Sequence, residues 1–171
     1  APSTKTTGRT LPAMIAALPL IRQQFHDAQF VVACAPTLPD AEFAPFITAR
    51  LSPPPALVFD RVDDVLASCD VVITASGTAT VQAALHERPM VVVYRLSRLS
   101  YLVGKPFITV QMYAMPNLVA GYRVVPELIQ GDMTAARVAA ETTVFLADRA
   151  KHARTREALR HVREALGAPG A

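Results

Sequence analysis

The chain has 171 residues, of which 51% are hydrophobic and 18% charged, with a formal net charge of +3. That suffices for one domain with a real core and argues against extensive disorder, and no apolar run reaches the ~20 residues of a membrane-spanning helix. The charge is uneven: residues 1–90 hold six Lys/Arg against eight Asp/Glu, and residues 91–171 hold eleven against six.

The opening "APSTKTTGRT" lacks an initiator Met and a signal-peptide apolar core, and reads as though cut from something longer. Residues 10–26 are predicted to be a helix, with Thr10 as N-cap and Pro12 in the first turn. "QFVVACA" (29–35) reads as a buried strand, 40–50 as a second helix, and "ALVF" (56–59) as a short strand after Pro53-Pro54-Pro55. "VDDVLASC" gives a short helix, "DVVITA" (70–75) a strand, 78–87 a helix and "MVVVY" (90–94) a strand. "RLSYLVGK" is then helical, "FITVQM" extended and 114–123 a loop, and two or three helices fill 124–166. Strands apolar on both faces, alternating with helices, predict a doubly wound, mostly parallel α/β sheet. Residues 1–166 form one domain on this reading, with 167–171 as a disordered tail.

Cys34 and Cys69 are too few for a disulfide scaffold or a metal site, which favours a reducing, cytoplasmic setting. His26, His86, His152 and His161 are scattered and read as surface residues. Asp60, Asp63 and Asp64 fit a helix start better than a metal cluster. The sequence contains neither GxGxxG nor GxxxxGK[ST], so dinucleotide cofactors and P-loop chemistry are disfavoured. Two basic patches stand out, Arg95/Arg98/Lys105 and Arg149 to Arg163. Either is a solvated helix face or an attraction for phosphate or anionic lipid.

Two stretches concentrate the polar junctions. In "ITASGTATVQAAL" (73–85) a strand hands over to a helix through Ser76, Gly77, Thr78, Ala79 and Thr80. These residues either cap the helix or present free N–H groups to an anion. In "MPNLVAG" (115–121), Pro116 and Gly121 frame Asn117, whose amide suits phosphate or sugar oxygens but also suits a plain turn. The first stretch lies at the carboxyl end of its strand, and Tyr94 and Arg95 close the neighbouring strand at the same edge. Ligands of such folds bind at that edge.

Taken together, "ASGTATVQAALHERPMVVVYRLSRLSYLVGKPFITVQMYAMPNLVAGYRVVPELIQ" resembles the lipid-A-disaccharide synthase family of GT-B glycosyltransferases. The likeness runs from about Arg9 to the end and covers the C-terminal, nucleotide-sugar half of such an enzyme. The resemblance implies inverting transfer of 2,3-diacylglucosamine from its UDP derivative to 2,3-diacylglucosamine 1-phosphate, releasing UDP, with no metal and no cofactor. It implies a UDP-binding set of Ser76, Gly77, Thr78, Ala79, Thr80, Gln82, Tyr94, Arg95, Asn117, Gly121 and Glu127. Of these, Asn117 would contact the diphosphate and Glu127 would support the site. The general base is expected from an acceptor-binding domain that this sequence lacks. Implied partners are the two acylated sugars, an anionic inner-membrane surface and a second copy of the chain, with no nucleic acid.

Three departures from the family pattern accompany the likeness. Its Gly-Ser-Arg-x-x-Glu loop would fall at Ala1, Pro2, Ser3 and Thr6, so its phosphate-binding Arg is missing unless Lys5 or Arg9 substitutes. Gln82 stands where the family has Glu. The expected first strand and last helix are lacking, so the chain reads as a fragment, weak or inactive as a transferase alone. Two other readings stay open. One is another UDP-sugar GT-B transferase or epimerase. The other is a non-catalytic nucleotide-binding or dimerisation module.

Overall fold

A computed structural model describes residues 4–34, 51–95 and 112–167. Its elements are α1 (Thr4–Gln24), β1 (Val31–Cys34), β2 (Ala56–Phe59), α2 (Val62–Ser68), β3 (Val72–Ala75), α3 (Thr78–Leu85) and β4 (Met90–Tyr94). They continue with α4 (Met115–Ala120), β5 (Glu127–Ile129), a 3-10 turn (Gln130–Asp132), α5 (Ala135–Ala147) and α6 (Arg149–Leu166). All strand pairings among the described residues are parallel, in one two-stranded sheet, β1-β2, and one three-stranded sheet, β3-β4-β5. The mixed α/β architecture with parallel strands is the one expected, although no described strand joins the two sheets.

Strand β4 shows why the fold is doubly wound. Alternate strand residues point to opposite faces, and here both faces are covered. Val91 and Val93 join Leu18 and Ile21 of α1 and Val138 and Phe145 of α5 in one core. Met90 and Val92 join Ala83 and Ala84 of α3 with Leu159 and Val162 of α6 in the other. All four strand residues are at most 1% exposed. A strand so placed must be apolar throughout, which is why "MVVVY" carries no polar alternation.

Several boundaries differ from expectation. Helix α1 starts at Thr4, so Thr10 is a buried interior residue and Pro12 and Pro19 both lie inside the helix. The stretch predicted as a loop at 114–123 contains α4. Pro116 sits in its first turn and Gly121, at φ 76°, is its left-handed C-cap. Both signals are helix punctuation rather than loop markers. Strand β5 was missed, being only three residues long with a charged first position. The helix expected at 40–50 lies outside the described residues, as do the helix and most of the extended segment expected between residues 98 and 112.

Candidate functional site

The register Ala75↔Val93 sets the carboxyl ends of β3 and β4 side by side, so Ser76 follows one strand as Tyr94 closes the other. The Ser76 N–H donates to Val93 O at 3.0 Å, carrying the strand pairing one residue further. Gly77 then adopts φ 148° and ψ −159°, a region essentially reserved for glycine, and α3 begins at Thr78. No side chain caps this helix. Among the described residues, the N–H groups of Gly77, Thr78 and Ala79 have no protein partner, and all three residues are exposed. The start of α3 is therefore open rather than capped by a side chain. An anion there gains from the donors directly and from the helix dipole by about 0.3–1 kcal/mol.

Thr80 plays a different part from its neighbours. It is fully buried, and its hydroxyl donates to Gly77 O at 2.6 Å. It closes the turn from beneath rather than facing a ligand. Gln82 is exposed one turn along, and Arg95 is exposed just beyond β4.

The second stretch is tied to the first through Tyr113. Its carbonyl accepts the Ser76 hydroxyl at 3.1 Å, and its ring lies 5.9 Å from that of Tyr94. Glu127, at the start of β5, accepts the N–H of Tyr113 on Oε2 at 2.8 Å and that of Ala114 on Oε1 at 3.1 Å. Asn117 completes the unit. Its Nδ2 donates to Glu127 Oε1 at 2.6 Å and to Val125 O at 2.9 Å, while its Oδ1 accepts the N–H groups of Val124 at 2.8 Å and Val125 at 2.9 Å. An amide offers two donors and two acceptor sites, and all are used. Asn117 is fully buried. In this geometry it holds Glu127 and the 113–114 backbone in place and has no atom left to offer a diphosphate. Gly121 likewise serves the backbone, returning its N–H to Asn117 O at 2.9 Å as α4 ends.

The structure thus groups Ser76, Tyr94, Asn117 and Glu127 around Tyr113, with Gly77 to Ala79 presented beside them. The main-chain groups of Tyr113, Ala114, Val124 and Val125 went unread in the sequence, because a backbone donor leaves no residue-type signature. The histidines are also less idle than expected. His86 meets Asp63 at 2.9 Å, and His152 meets Asp70 O at 3.1 Å. Asp63 and Asp64 do lie in the first turn of α2, but neither caps it, and Asp60 adopts φ 55° in the preceding turn.

Comparison with known proteins decides what this arrangement belongs to. Residues 5–169 match the family model described as lipid-A-disaccharide synthetase. The chain belongs to that family. It is 44% identical over 163 residues to a lipid-A-disaccharide synthase of Anaeromyxobacter sp. (strain K), covering 95% of this chain and 43% of the relative. The synthase of Geobacter sulfurreducens is 41% identical over 162 residues, covering 95% of this chain and 42% of the relative. That of Nitrosococcus oceani is 36% identical over 161 residues, covering 94% and 41%. The chain therefore spans less than half the length of these curated relatives.

Proposed function

We propose that this chain is the donor-nucleotide half of a lipid-A-disaccharide synthase. The complete enzyme transfers 2,3-diacylglucosamine from its UDP derivative to 2,3-diacylglucosamine 1-phosphate, inverts the anomeric centre and releases UDP. The observation that carries the reading is the uncapped start of α3 at a strand's carboxyl end, in a chain of this family. As the bond from the anomeric carbon to the diphosphate breaks, negative charge gathers on the leaving UDP. N–H groups already aimed at that position stabilise the charge most in the transition state and need no reorganisation. Asn117 and Glu127 are positioning residues here: they fix the Tyr113–Ala114 segment that holds Ser76. The general base belongs to the acceptor-binding part of the enzyme, outside this chain. The setting is the cytoplasmic face of the inner membrane, with that anionic surface and a second copy of the chain as further partners.

Thr78→Pro tests the reading. Proline is tolerated at the first helical position, so the change removes one N–H donor while leaving α3 intact. UDP affinity measured by calorimetry on the full chain should fall about 10-fold, as expected for losing one hydrogen bond to a charged group. Unchanged affinity would sink the assignment.

A further inference from the structure

Beyond Arg149 at its start, helix α6 carries its Lys and Arg cations in two groups. On one side Arg163, Arg160 and Arg156 converge on Glu87 at 3.2, 3.7 and 3.8 Å, and Arg160 also pairs with Glu157 at 2.8 Å. These charges are already answered. On the other side Lys151 and Arg154, one turn apart, form no ion pair among the described residues. They line an open cleft of about 250 Å³ with Thr155 of the same helix and with Tyr122 and Arg123 from the segment after α4. No carboxylate lines this cleft among the described residues. Asp148, the acidic residue nearest in sequence, accepts the Lys151 N–H as the cap of α6.

Helix α4, which packs against α6, carries exposed apolar side chains. Met115 and Leu118 lie on one face of α4 at i, i+3 spacing, and Tyr122, just past the helix end, lines the cleft. They are 41%, 42% and 57% exposed, and so rank among the few large apolar side chains left open to solvent. An apolar strip whose far end carries tyrosine and cations has the composition of a bilayer-interface contact. The aromatic sits at headgroup level, and the long basic side chains reach phosphate.

We propose that Tyr122, Lys151 and Arg154 form a docking surface for an anionic phospholipid bilayer, with Met115 and Leu118 entering its headgroup boundary. The charge complementarity selects this occupant: a phosphate diester meets Lys151 and Arg154, and among the described residues no carboxylate lines their cleft. The inference gives the membrane part of the proposed function a specific surface. It uses none of the residues assigned to the nucleotide, so the two can fail separately.

The test is flotation of the full chain with phosphatidylglycerol vesicles, phosphatidylcholine vesicles as reference and UDP affinity measured in parallel. The wild-type chain should partition onto the anionic vesicles and lose that preference with added salt. Lys151→Gln with Arg154→Gln should weaken partitioning about 30-fold, at about 5-fold per cation, and Tyr122→Ser should weaken it further. Arg137→Gln, which removes one charge from the exposed surface of α5, should leave it within about 2-fold. UDP affinity should be the same in all these variants. Three results would overturn the proposal. In one, the double variant partitions like wild type; in another, Arg137→Gln has the same effect per charge. In the third, millimolar glycerol phosphate releases the chain as fully as salt does at matched ionic strength, which would mark a soluble-anion site. Loss of vesicle binding with UDP affinity intact supports the surface, whatever becomes of the nucleotide site.

Discussion

Asn117 shows how a residue type can suggest one role and serve another. Its amide suggested a phosphate ligand, yet its four hydrogen-bonding positions are all taken by Val124, Val125 and Glu127. Removing it leaves buried N–H and C=O groups unpaired, a cost of about 1–3 kcal/mol for each such group. Asn117→Ala should therefore destabilise the fold by about 2–4 kcal/mol, read as a lower urea midpoint with unchanged slope. If the midpoint is unmoved, the network is not structural. Gly77→Ala should cost about 1–3 kcal/mol from backbone strain alone, since a Cβ there would meet nothing within 4 Å. Cys69 provides a pH check. Burial raises its thiol above the ordinary range, with Arg88 opposing only in part. The folded chain then holds that proton longer than the unfolded chain, so this group's contribution to stability declines as pH rises through the ordinary thiol range. Alkylation of Cys69 at pH 8 should be slower in the folded chain than in urea. Equal rates would contradict the assigned environment.

At the scale of elements, what could be read from the sequence followed burial. Strand β4 lay within its predicted bounds because both of its faces are covered, leaving one unbroken β-branched run. Strand β2 was equally plain, with turn residues on either side. Helix α4 was not, because six residues give too little periodicity to outweigh a proline and a glycine. Strand β5 opens on Glu127, whose charge is explained by the N–H groups of Tyr113 and Ala114 and by the Asn117 amide. That information is tertiary and absent from any local window. The turn before α3 could be located from sequence, but whether it was capped or open rested on side-chain directions that only coordinates give. Caps elsewhere follow the ordinary rule. Thr134 and Asp148 accept the N–H groups of Arg137 and Lys151 at the starts of α5 and α6. Asp148→Ala should lower stability by about 0.5–2 kcal/mol, measurable as a drop in thermal midpoint.

Across the whole molecule, the two cores on either side of β3-β4-β5 carry the stability and fix the carboxyl edge between them. Phe145 is buried against α1 in the first core, and Phe145→Ala should cost about 3–5 kcal/mol, close to the full stability of many small domains. The carboxyl edge they support brings together Ser76 from β3, Tyr94 from β4 and, through Glu127, the Tyr113–Ala114 segment. A cavity of about 490 Å³, lined by Asp63, His86, Glu87 and Arg163 among others, lies at the far end of α3 and holds none of these residues. The most direct measurement is a UDP titration of the isotopically labelled full chain, followed by backbone amide shifts. The account predicts saturable shifts at Gly77, Thr78 and Ala79, with little change at His86 and Glu87. Shifts confined to the cavity beyond α3, or none at the start of α3, would contradict it.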